Sequence, residues 1–435
     1  QYFAIAAALG TASYGQREIA MHREDPEALN RLFWEIEFLC AGTTAVCLVC
    51  WLGVIGCSKE YAPYYAALSM TLIAVAFDIS WFFGGLEEYG LIVLRNMAVK
   101  CVGIVLLFLF IRTRNDLLLY VALTAATGLL GNISMWGYLK PFVGKPDIRQ
   151  LKPLRHLKET LVYFIPTIAT SVYTILDKTM LGWFTDGDKS QNGYYEYATG
   201  FVNMSKILIM SFNAVMSARM SYLFGAGKMD EVRERLCGSL DFVLLLAIPI
   251  TLGLSGIAAG FVPWFLGDAY LPVIPLMYVC APLVLVVGLS DCLGSQILTP
   301  AGLRAQSGRV IVGGAAVNFI LNLILIPKFQ SYGAAAASVA AECFITFLYL
   351  RLGRNFVKLT LVWKYSWRRL IAGVCMFISV AVLGRTLVKL WGYSPAVTFL
   401  QIGAGAVVYG MILLVLRDPF IWKQVERIIK KQEYV

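Results

Sequence analysis

Residues 238–259 read GSLDFVLLLAIPITLGLSGIAA, a run of 22 residues with a single charged side chain, Asp241. A helix needs roughly 20 mostly apolar residues to cross a bilayer, so this run predicts a membrane-spanning helix. The same pattern recurs along the whole chain. Eleven more stretches predict full-length spans: 33–56, 61–83, 91–111, 115–137, 160–184, 195–222, 272–299, 309–326, 331–351, 368–387 and 395–416. The sequence therefore predicts an all-α, polytopic helical membrane protein.

Composition supports this class. Hydrophobic residues make up 59% of the chain and charged residues 15%, too few charges to solvate the surface of a soluble domain of this size. The ten cysteines lie mostly within or at the ends of apolar stretches, which indicates packing residues. His22 and His156 lie in loops without a neighbouring Cys or carboxylate cluster. We expect neither a metal site nor a catalytic constellation.

The basic residues predict the orientation. When successive connections are assigned to alternate sides, about 27 of the 37 Lys and Arg fall on one side and about seven on the other. The basic side holds the connections 138–159 and 351–369 and the tail after Arg417. We expect this side to be cytoplasmic. The formal net charge is +10, and the basic connections that carry it lack the interleaved aromatic residues on which nucleic-acid bases would stack. The charge therefore predicts contact with anionic membrane lipids and not with nucleic acid.

The chain begins with QYFAIAAALGTAS, an apolar piece too short to span a membrane. It resembles the second half of a truncated span, and no signal-peptide pattern accompanies it. We expect further sequence upstream.

Polar residues at span depth are the main functional signal, because ionisable groups there are costly and usually face a cavity or a partner. In 195–222, Asn203, Lys206, Asn213 and Ser217 share a helical sector of about 80°. This stripe has two interpretations that the sequence leaves open. It forms either an interhelical hydrogen-bond seam or the wall of a water-filled cavity that accepts anions.

Other polar residues recur in neighbouring spans. Asp177 and Lys178 are adjacent and point about 100° apart, so we expect each to find its partner on another helix. Asn318 and Asn322 lie one helical turn apart and suit either helix packing or cation coordination. The remaining ionisable residues at span depth are Asp78, Arg95, Lys100, Arg219, Asp241, Asp291 and Glu342. Several of these lie near span ends, where long side chains reach the headgroups.

A weak internal repeat predicts two lobes. Arg17 and the segment 22–39 resemble Arg219 and the segment 225–244, an offset of about 203 residues. The longest basic connection separates the two halves. The predicted divisions are an N-terminal lobe, an inter-lobe linker, a C-terminal lobe and a final helix pair with a basic tail, at 1–137, 138–159, 160–352 and 353–435.

Several motifs, in a fixed order, carry a family resemblance. They are LGTASYGQREIAMHRED (9–25), DISWFFGGLEEYGLIVLRN (78–96), YTILDKTMLG (173–182), GYYEYA (193–198), GSQILTPAGL (294–303) and NFILNLILIPKFQSYGAAAASVAAE (318–342). Together they resemble the polysaccharide-transporter, or Wzx-type oligosaccharide flippase, family of the multidrug/oligosaccharidyl-lipid/polysaccharide exporter superfamily. The match covers almost the whole chain.

The resemblance implies a fold and an activity. The fold has two pseudo-symmetric six-helix lobes around a central cavity and two extra C-terminal helices, with the first helix and part of the second missing here. The activity is that of a flippase, not of an enzyme. It moves undecaprenyl-diphosphate-linked oligosaccharide units from the cytoplasmic to the outer leaflet by alternating access, for surface polysaccharide biosynthesis. Implied partners are the lipid-linked glycan, a polysaccharide polymerase and chain-length proteins, and the implied location is a bacterial plasma membrane.

Residue roles follow as expectations from the implied activity. Cations suit diphosphate by charge, and arginine also by its bidentate fork. The candidate diphosphate contacts are Lys206, Lys178, Arg219, Arg17 and Arg95, with Arg17 and Arg95 as gate residues. Tyr173, Asn203, Asn213 and Ser217 are candidates for the polar wall that contacts sugar. Asp78, Asp177, Asp291 and Glu342 are candidates for proton or sodium coupling, and no other cofactor is expected.

Three alternatives remain open. A multidrug-type cation antiporter would share the superfamily fold but would favour a cavity dominated by carboxylates. Lys206 in the polar stripe argues against this alternative. A lipid II-type flippase would also share it. A membrane glycan polymerase or acyltransferase usually has a large outer loop or an intramembrane His, and the longest outer connection here, near 183–194, is about 12 residues.

Overall fold

A computed structural model describes residues 1–185, 188, 190–356 and 359–422, and it describes only the backbone at 114, 165–174, 218 and 359–365. This part of the chain is built of α-helices and contains no β-strand. The helices are α1 (Tyr2–Ala8), α2 (Thr11–Met21), α3 (Pro26–Cys57), α4 (Ala62–Ala76), α5 (Ser80–Gly85), α6 (Tyr89–Phe110), α7 (Leu117–Ser134), α8 (Leu157–Phe184), α9 (Ser190–Gly225), α10 (Met229–Phe265), α11 (Val273–Cys280), α12 (Pro282–Leu293), α13 (Arg304–Leu352), α14 (Leu359–Trp391) and α15 (Pro395–Val415).

Ten helical segments in the described part of the chain are long and apolar enough to cross a membrane. They contain eleven of the predicted spans, because α13 holds both 309–326 and 331–351. The remaining predicted span, 160–184, lies within α8. The prediction of an all-α, polytopic membrane protein is confirmed.

Local sequence explains where α3 begins. Asp25 lies in extended conformation before Pro26, and its carboxylate accepts hydrogen bonds from the backbone N–H groups of Glu27 and Ala28, each at 3.1 Å. A side-chain acceptor at the N-cap satisfies backbone donors that have no partner inside the helix. Proline suits the first helical position because it lacks an N–H.

The chain reverses direction inside α13. Gln330 has φ 50° and ψ −127°, which no helix accommodates, and Pro327 precedes it by three residues. After the break the chain packs back on itself: a Cβ on Gly333 would lie 2.4 Å from the carbonyl oxygen of Leu325. Only glycine permits such an approach. Consequently, residues about eight positions before and after the break face one another.

Contacts divide the chain into two compact units, Gln1–Val172 and Tyr173–Val435. The core of the first unit is rich in aromatic side chains, among them the buried Phe33, Trp81, Phe82 and Phe83. The core of the second unit is mostly aliphatic and draws on helices from α8 to α13.

A buried ion pair attaches the last two helices to the rest of the second unit. The Arg369 guanidinium, 1% exposed, lies 3.1 Å from the Asp418 carboxylate and 2.6 Å from the backbone carbonyl of Asp241. Asp418 also accepts from the backbone N–H of Phe420 at 3.0 Å. One arginine thus joins α10, the start of α14 and the segment after α15.

Candidate functional site

A carboxylate buried among neutral polar groups lies in the second unit. Asp177 on α8 is 5% exposed, and its oxygens accept from the Tyr195 hydroxyl at 2.8 Å, the Ser338 hydroxyl at 2.6 Å and the Asn322 amide at 2.6 Å. The Asn322 amide also lies 3.0 Å from the side-chain oxygen of Asn318. We call these five residues the Asp177 cluster.

The helices explain why these residues meet. Asn318 and Asn322 lie before the break in α13 and Ser338 after it, so the reversal at Gln330 brings both arms against one carboxylate. Tyr195 comes from the first turns of α9. Asp177 therefore finds its partners on other helices, as its position beside Lys178 predicts.

The cluster is rich in oxygen and is incompletely paired. Within the described part of the chain, the buried Asn322 Oδ1 has no hydrogen-bond partner. The ion pairs among the described residues include none with Asp177. A buried carboxylate without a cationic partner is costly, and such groups usually take up a proton or a cation. The amide, hydroxyl and carboxylate oxygens present here are ligands of hard cations.

Two lysines near this cluster, both predicted from the sequence to contact diphosphate, have acidic neighbours. Lys178 forms an ion pair with Glu196, the residue after Tyr195 on α9. Lys206, half-buried on the same helix, lies close enough to Glu342 for their charges to interact. The structure thus places two of the proposed diphosphate contacts beside carboxylates.

The polar stripe of α9 divides into two parts. Asn213 is fully buried, donates to the Asp291 carboxylate at 2.9 Å and accepts from the Gln296 amide at 3.1 Å. The Ser217 hydroxyl donates to the carbonyl of Ser295 at 2.9 Å, within a short π-helical segment, Gly294–Leu298. These contacts are an interhelical hydrogen-bond seam. Asn203, by contrast, is exposed.

The first unit contains a cavity of 460 Å³ with two cations in its wall. Arg95 and Lys100 come from α6, and Asp78 lies at the break between α4 and α5. The Arg95 guanidinium donates to Asn132 at 2.9 Å, while its Nε has no hydrogen-bond partner in the described part of the chain. Asn132 is held in turn by a 2.7 Å bond to the Ala74 carbonyl. We call this space the Arg95 cavity.

Sequence reasoning missed several residues of these sites. Glu37 on α3 is 4% exposed, and the charge that acts on its carboxylate is that of Asp78. Its position near the start of a long apolar run gave no indication of burial. Tyr195 and Ser338 lie in motifs that were noted for family resemblance and close helix packing. The one-turn spacing of Asn318 and Asn322 was the available signal for the Asp177 cluster.

The remaining predicted site residues lie apart from both sites. Arg17 is exposed and donates to the Tyr163 hydroxyl at 2.9 Å. Arg219 is exposed and lies over the Tyr222 ring at 5.2 Å. The side chain of Tyr173 lies outside the described residues.

His156 contacts one carboxylate, Glu35, that is distant in sequence. Its Nε2 lies 2.8 Å from the buried Glu35, which also accepts from the backbone N–H of Lys152 at 2.9 Å, and its Nδ1 lies 2.7 Å from the Tyr14 hydroxyl. Burial raises the pKa of Tyr14 to about 12, so this hydroxyl keeps its proton at neutral pH. The network attaches the connection 138–159 to α3, across 121 residues of sequence.

Comparison with known proteins identifies the family. Residues 1–223 match the family model described as "Polysaccharide biosynthesis protein", which is more than half of the chain. The chain belongs to this family. The resemblance inferred from the motifs is thereby confirmed. The matched half includes the Arg95 cavity, Asp177 and Lys206.

Similar proteins and solved structures cover most of the length of this chain. A protein of Escherichia coli strain K12 named "Putative O-antigen transporter" is 21% identical over 353 residues, 78% of this chain and 82% of the relative. The solved structure of the lipid II flippase MurJ, in an inward closed conformation, has a TM-score of 0.67 and 14% identity, covering 96% of this chain and 90% of that one. An outward-facing MATE multidrug transporter has a TM-score of 0.56 and 12% identity, covering 83% and 85%. At these identities the structural likeness shows the fold alone.

Proposed function

We propose that this membrane protein is a flippase for lipid-linked oligosaccharides in surface polysaccharide biosynthesis. The cargo is an undecaprenyl-diphosphate oligosaccharide, which moves from the cytoplasmic to the outer leaflet by alternating access. The observation that carries the proposal is the Arg95 cavity, a cationic space inside the half of the chain that matches the family. The name of the Escherichia coli relative supports the same substrate class.

The physics of the cargo explains why a cationic cavity is needed. A diphosphate and its sugars cannot cross about 30 Å of hydrocarbon without losing their hydration, which is very costly for charged groups. Arginine and lysine side chains replace water as donors to phosphate oxygens. Arg95 and Lys100 fill this role in the first unit, and Lys206 does so in the second. The polyprenyl tail needs no such cavity, because it stays in lipid.

The Asp177 cluster supplies the coupling site in this proposal. Its oxygen atoms fit a proton or a hard monovalent cation, because Asn322 Oδ1 is buried without a partner among the residues that the structure describes, and the carboxylate accepts hydrogen bonds from neutral groups. A bound cation would supply the positive charge that the enclosed carboxylate lacks. Asn322 and Ser338 orient the carboxylate, and Tyr195 covers it on the side of α9.

The location follows from charge. The basic connections and the tail face the cytoplasm of a bacterial cell, where they meet anionic headgroups. Polymerase and chain-length proteins would take up the cargo on the other face.

Reconstitution tests the proposal. The protein is placed in vesicles with undecaprenyl-diphosphate oligosaccharide in the leaflet that corresponds to the cytoplasmic side, and a membrane-impermeant glycosidase reports arrival in the other leaflet. We expect movement that Lys206→Ala abolishes and that Lys59→Gln, an exposed lysine between α3 and α4, leaves unchanged. Equal movement in empty vesicles would refute the proposal.

The Asp177 cluster also favours a second candidate, a multidrug-type cation antiporter. A carboxylate whose described neighbours are neutral suits an organic cation as well. The same vesicles distinguish the two functions. Proton- or sodium-driven uptake of an organic cation, with no movement of the lipid-linked glycan, would establish the antiporter.

A further inference from the structure

A small pocket lies between α10, α11, α14, α15 and the turn before α15. Its volume is 180 Å³, comparable to a single small headgroup. The polar side chains in its wall are Ser255, Tyr278, Arg385, Tyr393 and Gln401. All of them belong to the second unit, and none belongs to the Asp177 cluster. We call it the Arg385 pocket.

Gln401 supplies a buried acceptor at this pocket. Its side chain is 1% exposed, and its Nε2 donates to the Val380 carbonyl at 3.0 Å, while its Oε1 has no hydrogen-bond partner among the described residues. Glycines make room for it: a Cβ on Gly260 would lie 3.0 Å from Oε1, and one on Gly384 would lie 2.0 Å from Nε2. An unpaired buried oxygen is costly, and a hydroxyl group of a ligand would satisfy it.

Arg385 supplies a cation at the same pocket. It is exposed, and among the residues that the structure describes it forms none of the ion pairs found within 4.0 Å. It lies close enough to Tyr278 for its charge to act on that side chain. A guanidinium with nearby tyrosine hydroxyls is a set of donors suited to a phosphate group.

The depth of the pocket matches the headgroup layer. Arg385 lies six residues before the end of α14 and Gln401 six residues after the start of α15, about 9 Å from each helix end. Exposed aromatic residues surround this end, with Trp391 61%, Tyr393 54% and Phe265 52% exposed. Tryptophan and tyrosine concentrate where the hydrocarbon meets the headgroups.

The face of the membrane follows from α14. This helix starts beside the basic connection 351–369 and ends at the pocket, so the pocket lies at the opposite face of the second unit. The charge rule assigns that face to the outer leaflet.

We propose that the Arg385 pocket binds the headgroup of an anionic phospholipid that carries free hydroxyl groups, such as phosphatidylglycerol. Arg385 and the tyrosines hold the phosphate, and Gln401 Oε1 accepts a hydrogen bond from a headgroup hydroxyl. The site is independent of the transported cargo, so it stands or falls separately from the proposed flippase activity.

Native mass spectrometry of the purified protein tests this site. Phosphatidylglycerol, phosphatidylmethanol, which lacks the hydroxyls, and soluble glycerol 1-phosphate are the probes. We expect Arg385→Gln to weaken phosphatidylglycerol binding about tenfold, the size of one charge-assisted hydrogen bond. We expect Gln401→Met to weaken phosphatidylglycerol binding without changing that of phosphatidylmethanol. A merely structural defect would weaken both lipids alike.

Lys389→Gln is the matched control. Lys389 is exposed, lies one helical turn after Arg385 and is not part of the pocket wall. Equal phosphatidylglycerol binding by Arg385→Gln and Lys389→Gln would overturn the assignment, as would an equal loss of both lipids in Gln401→Met. Binding of glycerol 1-phosphate without binding of the lipid would assign the pocket to a free phosphate ester instead.

Discussion

Asp177 of the second unit and Asp78 of the first unit lie in opposite surroundings. Asp177 is enclosed by the hydroxyls of Tyr195 and Ser338 and the amide of Asn322, with no cation among them. Asp78 instead lines a cavity that also holds Arg95 and Lys100. An enclosed carboxylate suits the uptake and release of a positive charge, and an open cationic wall suits an anionic ligand. Span depth alone therefore does not define a residue's role; the partners around it do.

After the loss of movement expected for Lys206→Ala, the largest effect is expected at Asp177. Asp177→Asn keeps the size of the side chain and removes its charge, so it should reduce ion-driven flipping about a hundredfold, the equivalent of roughly 3 kcal/mol. Flipping by the reconstituted variant, at matched protein amounts, measures this. Asp268→Asn, in an exposed turn, is the control and should transport normally. Full activity of Asp177→Asn would remove the coupling role from this cluster.

The buried hydrogen-bond cluster around Asn213 should behave differently. Asn213→Ala leaves the Asp291 carboxylate and the Gln296 amide without their partner, and we expect it to lower the free energy of unfolding by about 2 kcal/mol. The folded fraction should still transport. Thermal unfolding in detergent, together with transport per folded molecule, separates the two effects. Lost transport at unchanged stability would move Asn213 from the helix seam to the substrate path.

The next effect in size is expected at Arg95, in the wall of the Arg95 cavity. Arg95→Gln removes the charge and keeps a polar side chain, so we expect a roughly tenfold higher concentration of lipid-linked glycan for half-maximal flipping. Lys59→Gln provides the comparison. If Arg95→Gln instead changes only the dependence on the ion gradient, the division of roles between the two units is wrong.

The smallest effect is expected at Arg219. This side chain is exposed and rests on Tyr222, so Arg219→Gln should change flipping less than about twofold. The same vesicle assay measures it. A loss as large as that of Arg95→Gln would restore Arg219 as a diphosphate contact.

Local features of this fold were predictable, and distant pairings were not. The spans follow from length and hydropathy, and Pro327 marks the break in α13. The partners of Asp177, by contrast, lie 145 and 161 residues away in Asn322 and Ser338. Periodicity places a residue on a helix face but does not say which helix lies opposite.

The candidate site shows the same limit. Lys206 and Asn213 share one helical face, yet one lies near Glu342 and the other is fully buried in a hydrogen-bond seam. The sequence predicted the stripe and left its two interpretations open. Packing of α9 against α12 and the π-helical segment decides between them for Asn213 and Ser217.

The most direct test of the account measures glycan flipping in vesicles with and without an inward or outward gradient of protons or sodium. The native protein and Asp177→Asn are compared. We predict that a gradient accelerates flipping by the native protein and leaves Asp177→Asn at its slow, gradient-independent rate. An equal response of both proteins to the gradient would contradict the account, because the enclosed carboxylate of the second unit would then have no part in coupling.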